Sequence, residues 1–135
     1  MIYTGNSPCL PLAAADSRKK SPRLVLGPSV TGARGLLVEL FQRLSWDVAE
    51  AATIGEVRTL AHRGRATVVL LGTDTGVESG WLICAKLLKA NPRVRVVLVG
   101  PADEETERFA LFAGAAAYVP IDSPPDVWVD AVSGN

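Results

Sequence analysis

The run Ala66–Leu71 (ATVVLL) constrains the fold of this chain more than any other segment. It is short, almost wholly apolar and rich in β-branched residues, and a polar loop follows it. Such runs are typical of strands buried on both faces, which occur in parallel sheets covered by helices. The run therefore predicts the central strand of an α/β domain.

Four further strands and five helices are predicted from the same kinds of pattern. The other strands are Arg23–Leu26, Asp47–Ala51, Val94–Val99 and Ala115–Val119. The helices are Thr31–Ser45, Ile54 to about Gly64, a segment carrying Trp81 and Leu88 that closes at Asn91-Pro92, Asp103–Ala113, and Ser123 to about Gly134. We expect Gly114 to end the fourth helix in a left-handed cap and Ser123 to be the N-cap of the fifth.

Strict alternation of strands and helices predicts the topology. Short connections and right-handed crossovers give a parallel sheet with helices on both faces, a three-layer sandwich. For a chain of this size the commonest solution is the flavodoxin-like strand order 2-1-3-4-5. Its functional crevice lies at the carboxyl ends of strands 1 and 3, where the order of the strands reverses.

The chain divides into an arm and one domain. Residues 1–21 are rich in Gly, Pro, Ala and Ser and show no periodicity, so we expect a flexible arm followed by a domain over residues 22–135. The cluster Arg18-Lys19-Lys20 at the end of the arm is expected to be solvated, with contact to an acidic partner as the alternative.

Composition argues against several classes of function. The 14 basic and 14 acidic side chains cancel, which disfavours direct binding of nucleic acid through a basic surface. The apolar runs are too short to span a bilayer, and no secretory signal is recognisable, so we expect a cytoplasmic protein without a membrane partner. Cys9 and Cys84 lie in no metal-binding motif, and the single histidine, His62, is expected to be exposed. No cofactor or metal is predicted.

Two segments resemble the receiver domain of response regulators. The stretch FAGAAAYVP (residues 112–120) resembles the family's run xAGAxxYxxKP, and SWDVAEAAT (residues 45–53) resembles GYEVxEAxD. Their spacing fits the family without forced gaps, and the resemblance extends from about Arg23 to Val132. It implies the receiver fold and a place in two-component signalling.

The same resemblance implies five positions for phosphorylation, and none holds the family's residue. The acid pair that binds Mg²⁺ falls on Pro28 and Ser29, and the phosphoacceptor aspartate falls on Gly72. The hydroxyl position falls on Val99 and the lysine position on Ile121. The expectation is a pseudo-receiver without catalytic activity. The alternative is unconventional phosphorylation at Asp74, two residues past Gly72, whose other interpretation is a loop residue that caps its own turn.

Tyr118 matches the aromatic switch residue of the family, which swings inward when the hydroxyl residue moves toward phosphate. Its partner position here is Val99, so the resemblance implies no phosphate-driven trigger. We expect Tyr118 to pack at the sheet edge with its hydroxyl in water, or alternatively to be a fixed contact residue for a protein partner.

The loop GPSVTGARG (residues 27–35) offers a competing hypothesis. Gly27 and Gly32 have the spacing of a phosphate loop, but Ala33 and Arg34 stand where that motif needs Lys and Ser or Thr. We expect a tight turn into the first helix. The amides at that helix start leave a small nucleotide- or anion-binding protein as an alternative function.

The leading hypothesis is a phosphorylation-independent protein–protein interaction module in bacterial signal transduction. The resemblance suggests the face formed by helix 4, strand 5 and helix 5, with Glu104, Arg108, Tyr118 and Trp128 as candidate contacts. Core packing is the alternative for Trp128. The expected partner is another signalling protein (a kinase, a regulator or an output domain) or a second copy of the chain in a homodimer.

Overall fold

The structure, a computed structural model, describes residues 22–28, 30, 33–61, 67–73 and 79–134. The strands are β1 (Arg23–Leu26), β2 (Asp47–Glu50), β3 (Thr67–Gly72), β4 (Arg95–Gly100) and β5 (Ala117–Pro120). The helices are α1 (Arg34–Arg43), α2 (Ile54–Ala61), α3 (Gly80–Ala90), α4 (Glu104–Phe112) and α5 (Pro125–Ser133). The predicted arm, Ser29, His62 and Asp74 lie outside the described residues.

The five strands form one parallel sheet in the order β2-β1-β3-β4-β5, which confirms the predicted topology. At the carboxyl edge, Leu26 of β1 pairs with Leu70 of β3, and Gly72 of β3 pairs with Val99 of β4. Val99 in turn pairs with Val119 of β5. This register places the ends of β3, β4 and β5 side by side.

The core has two layers, one on each face of the sheet. All six residues of β3 are buried, as expected for a strand covered on both sides. On one face Val57 of α2, Leu87 of α3 and Ala110 of α4 belong to a single apolar cluster. On the opposite face Phe41 of α1 and Trp128 of α5 anchor a second cluster.

Some of the predicted helix ends are confirmed by the structure and others are not. Gly114 has φ +103°, in the left-handed region, and terminates α4 as predicted. Helix α1 ends at Arg43, two residues earlier than expected, and Ser45 after it has φ +69°. The prediction that Ser123 is the N-cap of α5 was wrong, because Pro124 occupies that position and the Ser123 hydroxyl donates to the Pro120 carbonyl (2.7 Å). In the described part of the chain, no helix has the length and apolar character needed to cross a membrane.

Candidate functional site

Four of the five positions that the resemblance assigned to phosphorylation meet at the carboxyl edge of the sheet. The Gly72 amide donates to the Pro28 carbonyl (3.4 Å), and Gly72 pairs with Val99. The Ile121 amide donates to the Gly100 carbonyl (2.9 Å), which holds the end of β5 against β4. The fifth position, Ser29, lies outside the described residues.

The side chains at these four positions carry no ionisable group and no hydroxyl. Val99 is 2% exposed and belongs to the core, whereas Ile121 is 37% exposed at the rim. Gly72 is buried and has no side chain. A phosphoryl group placed here would meet aliphatic carbon where transfer chemistry needs carboxylates and preorganised donors.

The start of α3 covers the backbone of Gly72. A Cβ atom built on Gly80 would overlap the Gly72 carbonyl oxygen and lie 2.9 Å from the Cα of Thr73. The Gly80 amide also donates to the Thr73 carbonyl (2.9 Å). Glycine is therefore required at position 80 for the close approach of helix and strand.

Arg34, the first residue of α1, supplies a positive charge at this edge. Its guanidinium donates to the Gly27 carbonyl (2.6 Å) and to Oε1 of Glu50 (3.0 Å). These contacts join the end of β1 to the end of β2. A cation fixed beside the β1 carbonyl opposes the binding of a second cation there.

The carboxylates near Arg34 already have partners. Glu50 accepts from Arg34, and Oε1 of Glu56 accepts from the amides of Ala52 (2.8 Å) and Thr53 (3.2 Å) at the start of α2. An open depression of about 470 Å³ lies between them. It is lined by Pro28, Arg34, Glu50, Ala51, Ala52 and Glu56. Among the described residues, no group of three or more His, Cys, Asp or Glu side chains is arranged to hold a metal ion.

Tyr118 points inward. The side chain is 9% exposed, and its hydroxyl donates to the Pro101 carbonyl directly after β4 (2.5 Å). Burial raises the pKa of the Tyr118 hydroxyl above its ordinary value of 10.0, and the charges of Asp103 and Glu107 raise it further. The expectation of a hydroxyl in water was wrong, because the residue packs over the end of β4.

Gly100 provides the space that Tyr118 occupies. A Cβ atom at position 100 would lie 2.5 Å from the Tyr118 hydroxyl oxygen and 2.7 Å from Oγ1 of Thr73. Both distances are shorter than van der Waals contact. The inward position of Tyr118 thus depends on the absence of a side chain at Gly100.

Replacing Gly100 with alanine is expected to displace Tyr118 toward solvent. The variant loses the bond to Pro101 and part of the ring's burial, which lowers the free energy of unfolding by about 1–2 kcal/mol. The pKa of Tyr118 falls toward its ordinary value, measurable by ultraviolet titration in a Tyr3→Phe background. Tyr118→Phe, which removes only the hydroxyl, is the control, and it should lower the free energy of unfolding by about 1 kcal/mol. An unchanged, raised pKa in Gly100→Ala would contradict this account.

Trp128 does not belong to an interaction surface. Its side chain is 0% exposed, and the indole Nε1 donates to the Ser123 carbonyl (3.0 Å). The hypothesis that Trp128 contacts a partner was wrong, and the alternative that it packs in the core is confirmed. Its position on the inner side of α5, in line with Val132 one turn later, explains the burial.

Helix α4 exposes nearly all of its side chains. Of its nine residues only Ala110 is buried. Glu104 and Arg108, the predicted contact residues, are exposed. Large apolar residues that the sequence reasoning had not singled out are exposed beside them. They are Phe109 (50%), Leu111 (48%) and Phe112 (90%).

These residues divide α4 into two stripes. Phe109 contacts the ring of Trp81 on α3 (centroids 5.5 Å apart), so Glu105, Phe109 and Phe112 face the α3 side. Leu111 lies about 100° around the helix from Ala110, on the side opposite to Phe109. The aromatic residues of α4 are therefore displaced from the predicted α4–β5–α5 face toward α3.

Comparison with known proteins identifies the fold. No protein-family model matches this sequence, and no curated protein sequence does. Solved structures do match. The receiver domain protein (CheY-like) from Methanospirillum hungatei JF-1 has 21% identity and a TM-score of 0.72 over 85% of this chain and 93% of that chain.

Two further solved structures give the same result. The chemotaxis protein CheY4 of Vibrio cholerae matches at 14% identity and a TM-score of 0.71, over 85% of this chain and 98% of its own. This chain has the fold of a response regulator receiver domain. The receiver domain of Ssk1 from Saccharomyces cerevisiae, solved with the histidine phosphotransfer protein Ypd1, matches at 15% identity and a TM-score of 0.69 over 84% and 87% of the two chains. The receiver fold predicted from the two motifs is thus confirmed.

Proposed function

We propose that this chain is a pseudo-receiver, a receiver-fold domain that signals by binding other proteins without being phosphorylated. The observation that carries the proposal is Gly72. It ends the buried central strand at the edge where the resemblance requires the phosphoacceptor, and it has no side chain to accept a phosphoryl group.

The surroundings of Gly72 support the same conclusion. Val99 and Ile121 place aliphatic carbon where the resemblance requires a hydroxyl and an ammonium group. Arg34 holds a guanidinium at the end of β1, near the expected metal position, and it is bonded on both sides. Reversing one of these losses would not rebuild the site, because phosphoryl transfer depends on metal, nucleophile and phosphate donors acting together.

The contact surface is proposed to be fixed in one state. Tyr118 is already inward and bonded to Pro101, which precedes α4 by three residues. No hydroxyl at position 99 exists to move it. A permanently inward Tyr118 holds the start of α4 in one position, so the surface around α4 is available without an input signal.

The proposed partner is another signalling protein in the bacterial cytoplasm, and the domain itself is not an enzyme. Support comes from the receiver fold and from Phe109 and Phe112 of α4, which are exposed and line one depression, since exposed apolar surface can mark an interaction site. The Ssk1 receiver domain is bound to a phosphotransfer protein in its own crystal structure, a precedent for protein recognition by this fold.

Incubation with Mg²⁺ and beryllofluoride, a phosphoryl mimic, tests the proposal. We expect the amide NMR signals of the β3, β4 and β5 ends to stay unchanged, because no carboxylate of the described crevice residues can bind the mimic. A phosphorylatable receiver treated in parallel provides the positive control. Localised shifts near Gly72 that disappear in Asp74→Asn would overturn the proposal in favour of unconventional phosphorylation. A titration with ATP addresses the anion-loop alternative, for which shifts should centre on residues 27–35.

A further inference from the structure

The charges of this chain cancel in total but are segregated to opposite edges of the sheet. Strand ends and helix starts form the carboxyl edge, and strand starts and helix ends form the amino edge. Six exposed carboxylates lie at the carboxyl edge, around the starts of α4 and α5. They are Asp103, Glu104, Glu105, Glu107, Asp122 and Asp126, and we call them the acidic edge.

The amino edge carries an excess of cations. Three lie in last helical turns, one in the connection between α3 and β4, and two at strand starts. They are Arg43, Arg58, Lys89, Arg93, Arg23 and Arg95, and we call them the basic edge. Three carboxylates lie near them. These are Asp47, which pairs with Arg23 (2.9 Å), Glu39, which is 3.8 Å from Arg43, and Asp130 of α5.

The sequence next to Pro22 and Thr67 adds to this excess. Residues 16–21 hold three cations and one carboxylate, and residues 62–66 hold two further arginines. In order they are Asp16, Arg18, Lys19, Lys20, Arg63 and Arg65. Both segments lie outside the described residues, but they connect directly to Pro22 and Thr67 at the amino edge.

The direction of the helices explains why the charges are segregated. Each helix links two parallel strands, so each begins at the carboxyl edge and ends at the amino edge. Carboxylates are favoured in the first turn of a helix and cations in the last. The dipole of a helix places only about half an elementary charge at each end, so the whole charges of the side chains determine the sign there.

The charges of both edges are accessible to a partner. Among the described residues, none of the six carboxylates of the acidic edge forms an ion pair, and neither do Arg58, Lys89 and Arg93 of the basic edge. All nine of these side chains belong to exposed residues.

Both edges also expose large apolar side chains. Leu44 (47% exposed) and Phe112 (90%) lie at helix ends on the amino edge, and Ile121 and Val127 (37% each) lie on the carboxyl edge. A contact between the two edges would remove apolar area from water as well as pair charges.

We propose that this chain self-associates head to tail, with the basic edge of one copy against the acidic edge of the next. The strands of successive copies then point in the same direction. This inference goes beyond the proposed function and does not rest on it.

The distribution of charge favours this arrangement over a two-fold dimer. A two-fold contact through either edge brings the same charges together, whereas a head-to-tail contact brings opposite charges together. The zero net charge of the chain means that whole copies do not repel one another. Nucleic acid is complementary to the basic edge alone, but a second copy is complementary to both edges at once.

Sedimentation equilibrium of the full chain at two salt concentrations tests the inference. Charges are screened over about 30 Å at about 0.01 M salt and over about 3 Å at about 1 M. We therefore expect association that increases with protein concentration at the lower salt and a monomer at the higher. The amide NMR signals that move with concentration should belong to residues of both edges.

Two pairs of variants separate the charge of an edge from the net charge of the chain. Arg93→Glu should weaken self-association about five- to tenfold, whereas Arg108→Glu, with the same net charge, should leave it unchanged or stronger, because Arg108 lies beside the acidic edge. Glu104→Lys should weaken it similarly, whereas Glu39→Lys should not, because Glu39 lies beside Arg43 of the basic edge. Amide spectra establish that each variant is folded.

A mixture of the two weakened variants identifies the polarity of the contact. Arg93→Glu keeps its acidic edge and Glu104→Lys keeps its basic edge, so together they should form a one-to-one pair. With only Arg93→Glu isotope-labelled, the shifts should centre on the acidic edge. With only Glu104→Lys labelled, they should centre on the basic edge.

Several results would contradict the inference. These are a monomer at every concentration in low salt, association that salt does not weaken, or equal effects of Arg93→Glu and Arg108→Glu. Shifts of the same edge in both labelled variants would indicate a two-fold dimer instead. A short DNA duplex that binds the basic edge of a chain that stays monomeric would assign that edge to nucleic acid.

Discussion

Replacing Trp128 with alanine should lower the free energy of unfolding by about 3–5 kcal/mol, the range for deletion of a fully buried large aromatic side chain. Trp128 is the largest of the fully buried side chains and lies at the centre of the cluster between α1, α5 and the sheet. The loss is a large part of the total stability of an ordinary domain, typically about 5–15 kcal/mol. Urea denaturation followed by circular dichroism measures it.

Trp128→Phe is the matched control for this prediction. It retains most of the apolar volume but leaves the Ser123 carbonyl without its indole donor, which costs about 1–3 kcal/mol. We therefore expect an intermediate stability. A loss below about 1 kcal/mol in Trp128→Ala would be incompatible with a core role and would return this residue to the candidates for partner contact.

Gly80→Ala is expected to destabilise the domain by about 3 kcal/mol, although it adds a single methyl group. The new Cβ atom would overlap the carbonyl oxygen of Gly72 and approach the Cα of Thr73, and both are backbone atoms. No rotation of a side chain relieves the overlap, so α3 or the end of β3 must move. The midpoint of thermal unfolding, together with the amide signals of β3, measures the effect.

Gly35→Ala serves as the comparison for Gly80→Ala. Gly35 lies in α1, and a Cβ atom there would meet no heavy atom within 4 Å. Alanine is favoured over glycine inside a helix by about 0.5–1 kcal/mol and by less in the first turn, where Gly35 is the second residue of α1, so this variant should be as stable as the wild type or slightly more stable. Equal effects of the two substitutions would show that the approach of α3 to Gly72 is less close than the structure indicates.

The sheet could be predicted because its signals are local. The β-branched run of β3 and the alternation of elements around it determine the strand order through general rules of connection. The motifs around Trp46 and Tyr118 also place Gly72 and Val99 at the carboxyl edge, and their assignment as phosphorylation positions stays a prediction. Gly72 and Val99 consequently meet where the sequence placed them.

The details of the site depend on contacts between residues far apart in sequence, and these could not be predicted. The hydrogen bond between Arg34 and Glu50 joins residues 16 positions apart, and that between Tyr118 and Pro101 joins residues 17 positions apart. No local sequence pattern indicates either contact. The packing of the start of α3 over Gly72 likewise has no local sequence signal.

The buried side of α4 could not be predicted from hydrophobic periodicity, for a different reason. Its large apolar residues are exposed, and its inner side carries the small Ala110 with the half-buried Thr106 one turn earlier. Hydrophobic periodicity assumes that the largest apolar side chains mark the buried side, which holds for α5 with Trp128 and Val132 but not for α4. An exposed Phe112 carries no signal in the sequence that separates it from a core phenylalanine.

Because α4 has a single buried residue, selection for partner binding and selection for stability act on different residues. Exposed positions such as Glu104 and Arg108 can be substituted without change to the core packing, because Ala110 is the one buried residue of this nine-residue helix. Selection for a new partner can therefore remodel the outer face of α4 without compromising folding, and selection for stability can act on β3 and Trp128 without altering recognition. This one helix therefore offers a surface on which new binding specificity can evolve.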